Sequence, residues 1–330
     1  MFQMKKLVRG VASLAVVLGM SGIAVAQDGG AVVVDGSSTV YPIGEHIAAE
    51  FRKVDPSIRV TIAVSGTGGG FKRFTNGETD ISHASRPIKK EEADAAQSNG
   101  VEFIEIPIAY DGLSVVVNKS NTFIDKLTVE QLARIYLEGG AKTWKEINPS
   151  WPDLPLRIYS PGTDSGTFDY MKEVLTSKDK NAKFRADMQV SEDDNVLVTG
   201  VAGDQGGVGY FGSAYYFENK DKLRAVPIVN KKGEAIEPTP ETIMDGTYNP
   251  LSRPLFIYVN KASLNKPAVR KFVEFYLDNA GDAAGAVGYV ALPDELYDRA
   301  EANLKDLKVG TQYLTTDGKH KEGALADIYK

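Results

Sequence analysis

Residues 31–40 read Ala-Val-Val-Val-Asp-Gly-Ser-Ser-Thr-Val, a short β-branched run followed by a turn of small polar residues. The run predicts a buried strand, and the apolar spacing of the next segment, Ile43–Lys53, predicts a helix. A strand, a polar turn and a helix in this order form the opening unit of an α/β fold. Further strands and helices alternate after this unit, so the sequence predicts an α/β protein with a largely parallel sheet.

A repeated strand pattern indicates how the chain is divided into domains. Leu113–Lys119 reads Leu-Ser-Val-Val-Val-Asn-Lys, and Leu255–Lys261 reads Leu-Phe-Ile-Tyr-Val-Asn-Lys. Such a pair is expected where a chain leaves one domain and later returns to it, although apolar strands ending in Asn-Lys also recur by chance. The length of 330 residues fits about two domains. We therefore predict a first domain of residues 27–115 plus 256–330, and an inserted second domain of residues 116–255.

The composition excludes several classes of function. The chain has no cysteine and only three histidines, so disulfide scaffolds and thiolate metal sites are excluded, and we expect neither a metal ion nor a cofactor. Gly207–Gly212 matches a dinucleotide-binding pattern, but no strand precedes it, so we read it as a strand. The formal charge of −6 argues against nonspecific binding to nucleic acid or to anionic lipid.

The first 26 residues have the pattern of a secretory signal peptide. Lys5, Lys6 and Arg9 precede an apolar run, Val11–Val25, that ends in small residues at Ala26. The run is short for a membrane span, so we favour cleavage after Ala26 over a retained anchor. The sequence therefore predicts an exported protein, and no cysteine is present to carry a lipid anchor.

Three turns rich in glycine, serine and threonine stand at predicted strand-to-helix junctions. They are Asp35–Val40, Ser65–Gly70 and Gly162–Thr167. Glycines let the backbone approach a ligand, hydroxyls donate hydrogen bonds, and the helix that follows presents unpaired N–H groups. One such turn alone is explained as a helix cap. Three turns, two in the first domain and one in the second, predict a single tetrahedral oxyanion held between the domains.

Arg86 is the candidate cation for that oxyanion. It follows a predicted short strand around Asp80 and precedes Pro87. A guanidinium can donate two parallel hydrogen bonds to one oxyanion, although most arginines are solvated surface residues. A charge-assisted hydrogen bond contributes roughly 1.5–3 kcal/mol, so we expect Arg86→Ala to weaken anion affinity more than tenfold.

These features together resemble the periplasmic phosphate-binding proteins of phosphate ABC transporters. The resemblance rests on Asp35–Pro42, Ser65–Phe71, Ser82–Ile88, Leu127–Ile147 with its Trp144, and Ser160–Phe168. It implies a type II periplasmic binding protein, in which two α/β domains are joined by two crossover hinge strands. It further implies a monomer, not an enzyme, that binds inorganic phosphate in the interdomain cleft and delivers it to a membrane permease. The echoed strands then become the hinge.

The resemblance also assigns phosphate ligands within the three turns. The first turn would supply Ser38 and Thr39, the second Ser65 or Thr67, and the third Ser165, Gly166 and Thr167. Two positions depart from the common pattern. Many members have an aspartate where this chain has Arg86, and an arginine where it has Pro161. The sequence is similar to a subgroup that reads Ala-Ser-Arg-Pro at the first of these positions, so we interpret the exchange as compensated.

Without that aspartate, it is open which carboxylate accepts the hydrogen bond that the proton of hydrogen phosphate donates. Asp164 and Asp111 are the two candidates. The alternative role of Asp164 is to cap the helix near Thr167. The alternative role of Asp111 is that of a turn residue between the predicted strands Glu102–Ile108 and Leu113–Val117.

Two other functions compete with the transporter hypothesis. Asp164–Gly166 superficially resembles the surroundings of a hydrolase nucleophile, whose base would have to be His83, since His46 lies in a helical pattern and His320 in a polar tail. A secreted oxyanion scavenger that works without a permease would have the same anion site.

Overall fold

The computed structural model of the chain describes residues 30–163, 165–191, 193–321 and 323–330. The predicted signal peptide, residues 1–26, and the candidate Asp164 lie outside these ranges. Within the ranges, no helix combines the length and the apolar character needed to cross a membrane.

Strands and helices alternate along most of the chain. The strands are β1 Ala31–Gly36, β2 Arg59–Val64, β3 Ile81–Ala84, β4 Phe103–Asn118, β5 Arg157–Pro161, β6 Gln189–Ser191, β7 Gly207–Gly212, β8 Leu223–Ala225, β9 Ile228–Val229, β10 Ala235–Ile236 and β11 Ser252–Asn260. The helices are α1 Tyr41–Val54, α2 Gly66–Thr75, α3 Lys90–Ser98, α4 Val129–Tyr136, α5 Trp144–Ile147, α6 Gly166–Leu175, α7 Asp194–Gly203, α8 Ser213–Glu218, α9 Pro240–Met244, α10 Pro267–Ala286, α11 Asp294–Lys305 and α12 Leu325–Ile328.

Within the described residues, one nine-stranded sheet runs through both halves of the structure. Its order is β2-β1-β3-β11-β4-β7-β5-β6, with β8 also on β4, and β9 and β10 form a separate pair. We call the part with β1, β2, β3 and β11 the first lobe, and the part with β5, β6, β7 and β8 the second lobe. Helices α1 and α10 cover the first lobe, where Phe51 meets Phe272 at 5.2 Å between ring centroids. The fold is α/β, with two lobes joined through β4 and β11.

Strand β4 is the shared element, and it corrects one expectation. The sequence predicts two strands with a turn at Asp111, whereas β4 is one strand of 16 residues. Its first part pairs with β11 as far as Gly112, and the part from Leu113 onward pairs with β7. Asp111 lies inside the ladder opposite Arg253, so partners far along the chain replace the predicted turn.

The two echoed segments lie in neighbouring strands but in different lobes. Leu113–Val117 pairs with β7 in the second lobe, whereas Leu255–Val259 pairs with β3 and with the first part of β4. The chain thus crosses between the lobes just before each echoed segment, at residues 111–113 and 251–254. The domain boundaries at 115/116 and 255/256 stay a prediction.

The prediction of a largely parallel sheet was wrong at the centre of the molecule. Strand β1 is parallel to β2 and β3, and β5 is parallel to β6 and β7. By contrast, β11 runs antiparallel to β3 and β4, and β4 runs antiparallel to β7 and β8. The physical reason is that the two crossover strands carry the chain out of one lobe and back again in opposite directions.

Candidate functional site

The first polar turn follows β1 at the end of the strand that faces the other lobe. Gly36 has a φ of 142°, and a Cβ there would lie 2.1 Å from the carbonyl oxygen of His83, so only glycine fits. Ser37 then accepts a hydrogen bond from the backbone N–H of Thr39 at 3.2 Å. Ser38 and Thr39 are thereby presented immediately before α1, whose first residue is Tyr41.

The second polar turn is part of a helix. Helix α2 begins at Gly66, inside the glycine-rich stretch that was predicted to precede it. Thr67 makes a hydroxyl hydrogen bond with Ser85 at 3.0 Å, on the segment that carries Arg86. Ser65 is exposed at the helix start. The structure therefore places Ser65 and Thr67 beside the first turn but does not include them in the lining of the cavity described below.

The third polar turn meets the first one across the lobes. Ser165 caps α6 by accepting from the N–H of Thr167 at 3.2 Å. A Cβ on Gly166 would lie 2.6 Å from the Cα of Thr39, and the Thr39 hydroxyl donates to the Gly166 carbonyl at 3.5 Å. The absence of a side chain at Gly166 thus allows the two turns to touch.

A cavity of about 390 Å³ opens where these two turns meet. Its lining is Ser38, Tyr41, Pro42, Val64, Ser165, Gly166, Thr167, Asp194, Tyr215, Val287 and Tyr289. A larger cavity of about 510 Å³ lies within the second lobe around Tyr159 and Val190, but no charged side chain lines it. We regard the smaller cavity as the candidate site because it contains hydroxyls from both lobes and the N-termini of two helices.

The structure thus brings together five of the eight predicted site residues. Ser38 and Thr39 of the first lobe lie opposite the turn Ser165–Thr167 of the second lobe. Ser38 also bridges the lobes, because its hydroxyl donates to Asp169 of α6 at 2.8 Å. Asp169 was not among the predicted residues.

Arg86 does not extend into the cavity. Its guanidinium makes a bidentate pair with Glu92 of α3, with both N–O distances at 2.8 Å, and also donates to the Pro87 carbonyl. It lies 5.4 Å from the ring centroid of Phe71. Glu92 is fixed in turn, because it accepts from the N–H of Lys89 at 2.8 Å in the capping box of α3. The charge of Arg86 is therefore already engaged within the first lobe.

Arg253, which was not among the predicted site residues, is a cation at the junction of the lobes. Its guanidinium donates to Thr39 Oγ1 at 3.1 Å, to Asp111 at 3.3 Å and to Glu173 of α6 at 2.7 Å. It also stacks 3.6 Å from the ring centroid of Tyr170. The available signal was the recurrence of Ser-Arg-Pro at residues 85–87 and 252–254.

Asp111, one of the two candidate proton acceptors, lies on β4 and is linked to Thr39 through Arg253. Burial raises the pKa of its carboxyl to about 6, against the opposing effect of the nearby Arg253. Its Oδ2 accepts from Arg253, and its Oδ1 is buried with no hydrogen-bond partner within the described residues. Asp111 therefore contacts the residue that binds Thr39, but it does not line the cavity.

None of the three histidines is in the lining of the cavity, so the structure offers no histidine there to act as the base of a serine hydrolase. His83 is fully buried, with its Nε2 3.5 Å from the Tyr276 hydroxyl, and burial lowers its pKa to about 3. His320 faces the Ile88 carbonyl at 2.9 Å, and the Ser165 hydroxyl caps α6. Within the described ranges, no group of three or more histidine or acidic side chains could hold a metal ion.

Two α/β lobes joined by two crossover strands, with a polar cavity between them, define a bilobed solute-binding protein of the periplasmic-binding-protein class. In agreement, a family model described as a PBP superfamily domain matches residues 23–280. The chain belongs to this superfamily and, within it, to the family of the PstS phosphate-binding proteins.

Three similar proteins support this assignment. The chain is 50% identical over 285 residues to Protein SphX of Synechococcus elongatus, covering 86% of this chain and 83% of that protein. It is 44% identical over 280 residues to the phosphate-binding protein PstS of Staphylococcus saprophyticus, covering 84% and 85%. A crystal structure described as a possible phosphate binding protein from Planctomyces limnophilus matches with a TM-score of 0.81 and 43% identity, covering 84% and 98%. Members of this family are substrate-binding proteins.

Proposed function

We propose that the protein is a receptor for inorganic phosphate, which it binds between the two lobes. The observation that carries this proposal is the meeting of Ser38 and Thr39 with Ser165–Thr167 around one polar cavity. The hydroxyls of Ser165 and Thr167, backbone N–H groups and the positive end of α6 converge there, which is the environment that a tetrahedral anion requires. Ser65 and Thr67 belong to the neighbouring turn of the first lobe and extend the anion-binding surface.

The positive charge of the site comes from Arg253 in this proposal. Arg253 is not in the lining of the cavity itself, but it donates to Thr39 where the two turns meet. One of its partners, Glu173, has a side chain that is 61% exposed, so it can turn into solvent and release one guanidinium nitrogen to the anion. Arg86 is bound more firmly, because two hydrogen bonds join it to a carboxylate that also caps a helix. The predicted ligand role of Arg86 is therefore the weaker of the two assignments.

Phosphate docks first on the turns of the first lobe, and the second lobe then closes over it. Ser165, Gly166 and Thr167 lie at the start of α6, so a movement of that lobe brings all three onto the anion together. Strand β4 changes its partner from β11 to β7 at Gly112, and the chain enters β11 beside this point, where Leu113 donates to the Leu251 carbonyl at 2.9 Å. We assign the bending to these two positions.

The receptor delivers phosphate to the permease of an ABC transporter. The predicted signal peptide supports export to the periplasm, and similarity to PstS proteins supports a transporter partner. The protein acts as a monomer, without nucleic acid and without a metal or cofactor. Deleting the gene for this chain in its own host should lower phosphate uptake from dilute solution, whereas a scavenger that works without a permease would leave uptake unchanged.

Calorimetric titration of residues 27–330, stripped of bound anion, tests the binding proposal. We expect one-to-one phosphate binding and a weaker response to sulfate. Comparable binding of both anions would make the protein a general oxyanion receptor. Binding of neither would overturn the proposal.

A further inference from the structure

The hydrogen bond between Ser38 and Asp169 crosses the cleft at the candidate site. Ser38 precedes α1 in the first lobe, and Asp169 lies in the first turn of α6 in the second. The Ser38 hydroxyl donates to Asp169 Oδ2 at 2.8 Å, between residues 131 positions apart in the chain. Ser38 also lines the cavity, so this hydrogen bond lies at the wall of the space that a ligand would occupy.

The chemistry of this pair fixes what Ser38 can offer. A serine hydroxyl has one hydrogen and two acceptor lone pairs, whereas an ionised carboxylate accepts only. Because the hydrogen is used on Asp169, Ser38 presents lone pairs to the cavity. A bare oxyanion oxygen facing these lone pairs gains no hydrogen bond, whereas an oxyanion that carries a proton can donate to them.

We propose that Asp169 is a positioning residue that sets Ser38 as a hydrogen-bond acceptor and thereby makes the closed cleft select protonated oxyanions. The preferred class is hydrogen phosphate or a similar monoprotonated anion, and the disfavoured class is fully ionised sulfate. This inference rests on the proposed phosphate-binding function and adds the origin of its selectivity. In this proposal the Ser38 oxygen, oriented by Asp169, accepts the hydrogen bond from the protonated anion, in place of Asp164 or Asp111.

Selection takes place when the lobes close. The two partners lie in different lobes, so Ser38 is free to donate to any oxyanion while the lobes are apart. Closure brings Asp169 onto Ser38 and withdraws that hydrogen. On closure, an anion with no proton therefore loses the hydrogen bond that Ser38 donated to it. A protonated anion instead gains a hydrogen bond by donating to the Ser38 oxygen.

The test measures phosphate and sulfate affinities by calorimetry at a pH where phosphate carries one proton. The variants are Asp169→Ala, Ser38→Ala and the double variant, each first checked for folding by circular dichroism. We expect Asp169→Ala to lower the phosphate-to-sulfate affinity ratio at least tenfold, since Ser38 can then donate to either anion. Ser38→Ala should lower the ratio similarly, and the double variant should add little to either single change.

Asp169→Asn provides a matched control, because the asparagine amide oxygen can still accept from the Ser38 hydroxyl although the charge is gone. It should alter the affinities for both anions in the same direction and leave their ratio within about threefold of that of the parent protein. The proposal is overturned if Asp169→Ala keeps the parent ratio, if Asp169→Asn lowers it as much, or if the effects of the single variants simply add. Failure of the parent protein to bind phosphate would instead overturn the proposed function.

Discussion

The segments Ser85–Pro87 and Ser252–Pro254 share the sequence Ser-Arg-Pro but place their arginines in different environments. Arg86 has a side chain that is 29% exposed, and it forms a bidentate pair with Glu92 in its own lobe. Arg253 is 12% exposed and contacts groups from both lobes, among them a carboxylate that is almost completely buried. The first arginine joins two neighbouring elements, whereas the second lies where β11 crosses between the lobes.

This difference shows that the position of a strand in the sheet decides what an identical tripeptide does. Arg86 follows β3 and is only six residues from Glu92, which caps α3, so the two form a local ion pair. Arg253 is 142 residues from Asp111, and only the pairing of the two crossover strands brings them together. If these surroundings decide their roles, replacing each arginine should affect stability and phosphate binding differently.

The largest difference is expected in stability. Arg253→Ala leaves the Asp111 carboxylate buried without a counter-charge, and breaking such a pair costs about 3–5 kcal/mol. Arg86→Ala removes a partly exposed pair and should cost less than about 1 kcal/mol. Urea unfolding of both variants at neutral pH measures these free energies. Equal losses in the two variants would contradict the distinction.

A second difference concerns how stability depends on pH. The native pKa of Asp111 is raised to about 6, so the native state holds a proton that the unfolded state releases near pH 4. Stability should therefore fall as pH rises from about 4 to about 6, and this carboxyl alone contributes about 3 kcal/mol of that change.

Asp111→Asn removes this contribution, so the variant should lose less stability than the parent protein over the same pH interval. Other groups that titrate in this interval contribute equally to both proteins, so their contributions to stability cancel in the comparison. One such group is the buried Glu105, whose pKa is also raised by burial. Parallel stability curves for the parent and the variant would show that Asp111 does not have the raised pKa.

The two arginine variants should also differ in phosphate affinity, by a free energy smaller than their difference in stability. Loss of a charge-assisted hydrogen bond costs roughly 1.5–3 kcal/mol, so Arg253→Ala should weaken phosphate binding by about ten- to a hundredfold. Arg86→Ala should change it by less than about threefold, because its guanidinium is held by Glu92. Calorimetry decides this point. A loss of more than tenfold in Arg86→Ala would restore the ligand role that the sequence predicts.

Local features of the fold could be predicted from the sequence. A threonine before an apolar helical pattern predicts an N-cap, and Thr128 caps α4 by accepting from the N–H of Gln131 at 3.2 Å. The strand before the first polar turn and the helix after it were also predicted, because hydrophobic periodicity and small polar turns are encoded by neighbouring residues.

The parts of the site that were missed depend on contacts between distant residues. Arg253 reaches Thr39 over 214 positions, and Ser38 reaches Asp169 over 131. No local pattern contains such pairs, since they arise only when β4 and β11 pair and the two lobes meet. Ser165 and Gly166 could be predicted from the composition of their own turn. Asp169, only a few residues later, could not, because its role depends on its contact with Ser38.

The smallest expected effect tests whether Glu173 competes with the anion for Arg253. Its exposed carboxylate accepts from Arg253 Nη1 at 2.7 Å. Glu173→Gln removes that competing charge, so phosphate affinity should rise about two- to threefold, with little change in stability because exposed ion pairs contribute little. Glu92→Gln is the matched control, since it frees Arg86 instead and should leave affinity unchanged. If Glu173→Gln weakens binding, Glu173 orients Arg253 rather than competing with phosphate, and the anion then meets an arginine that both carboxylates hold in place.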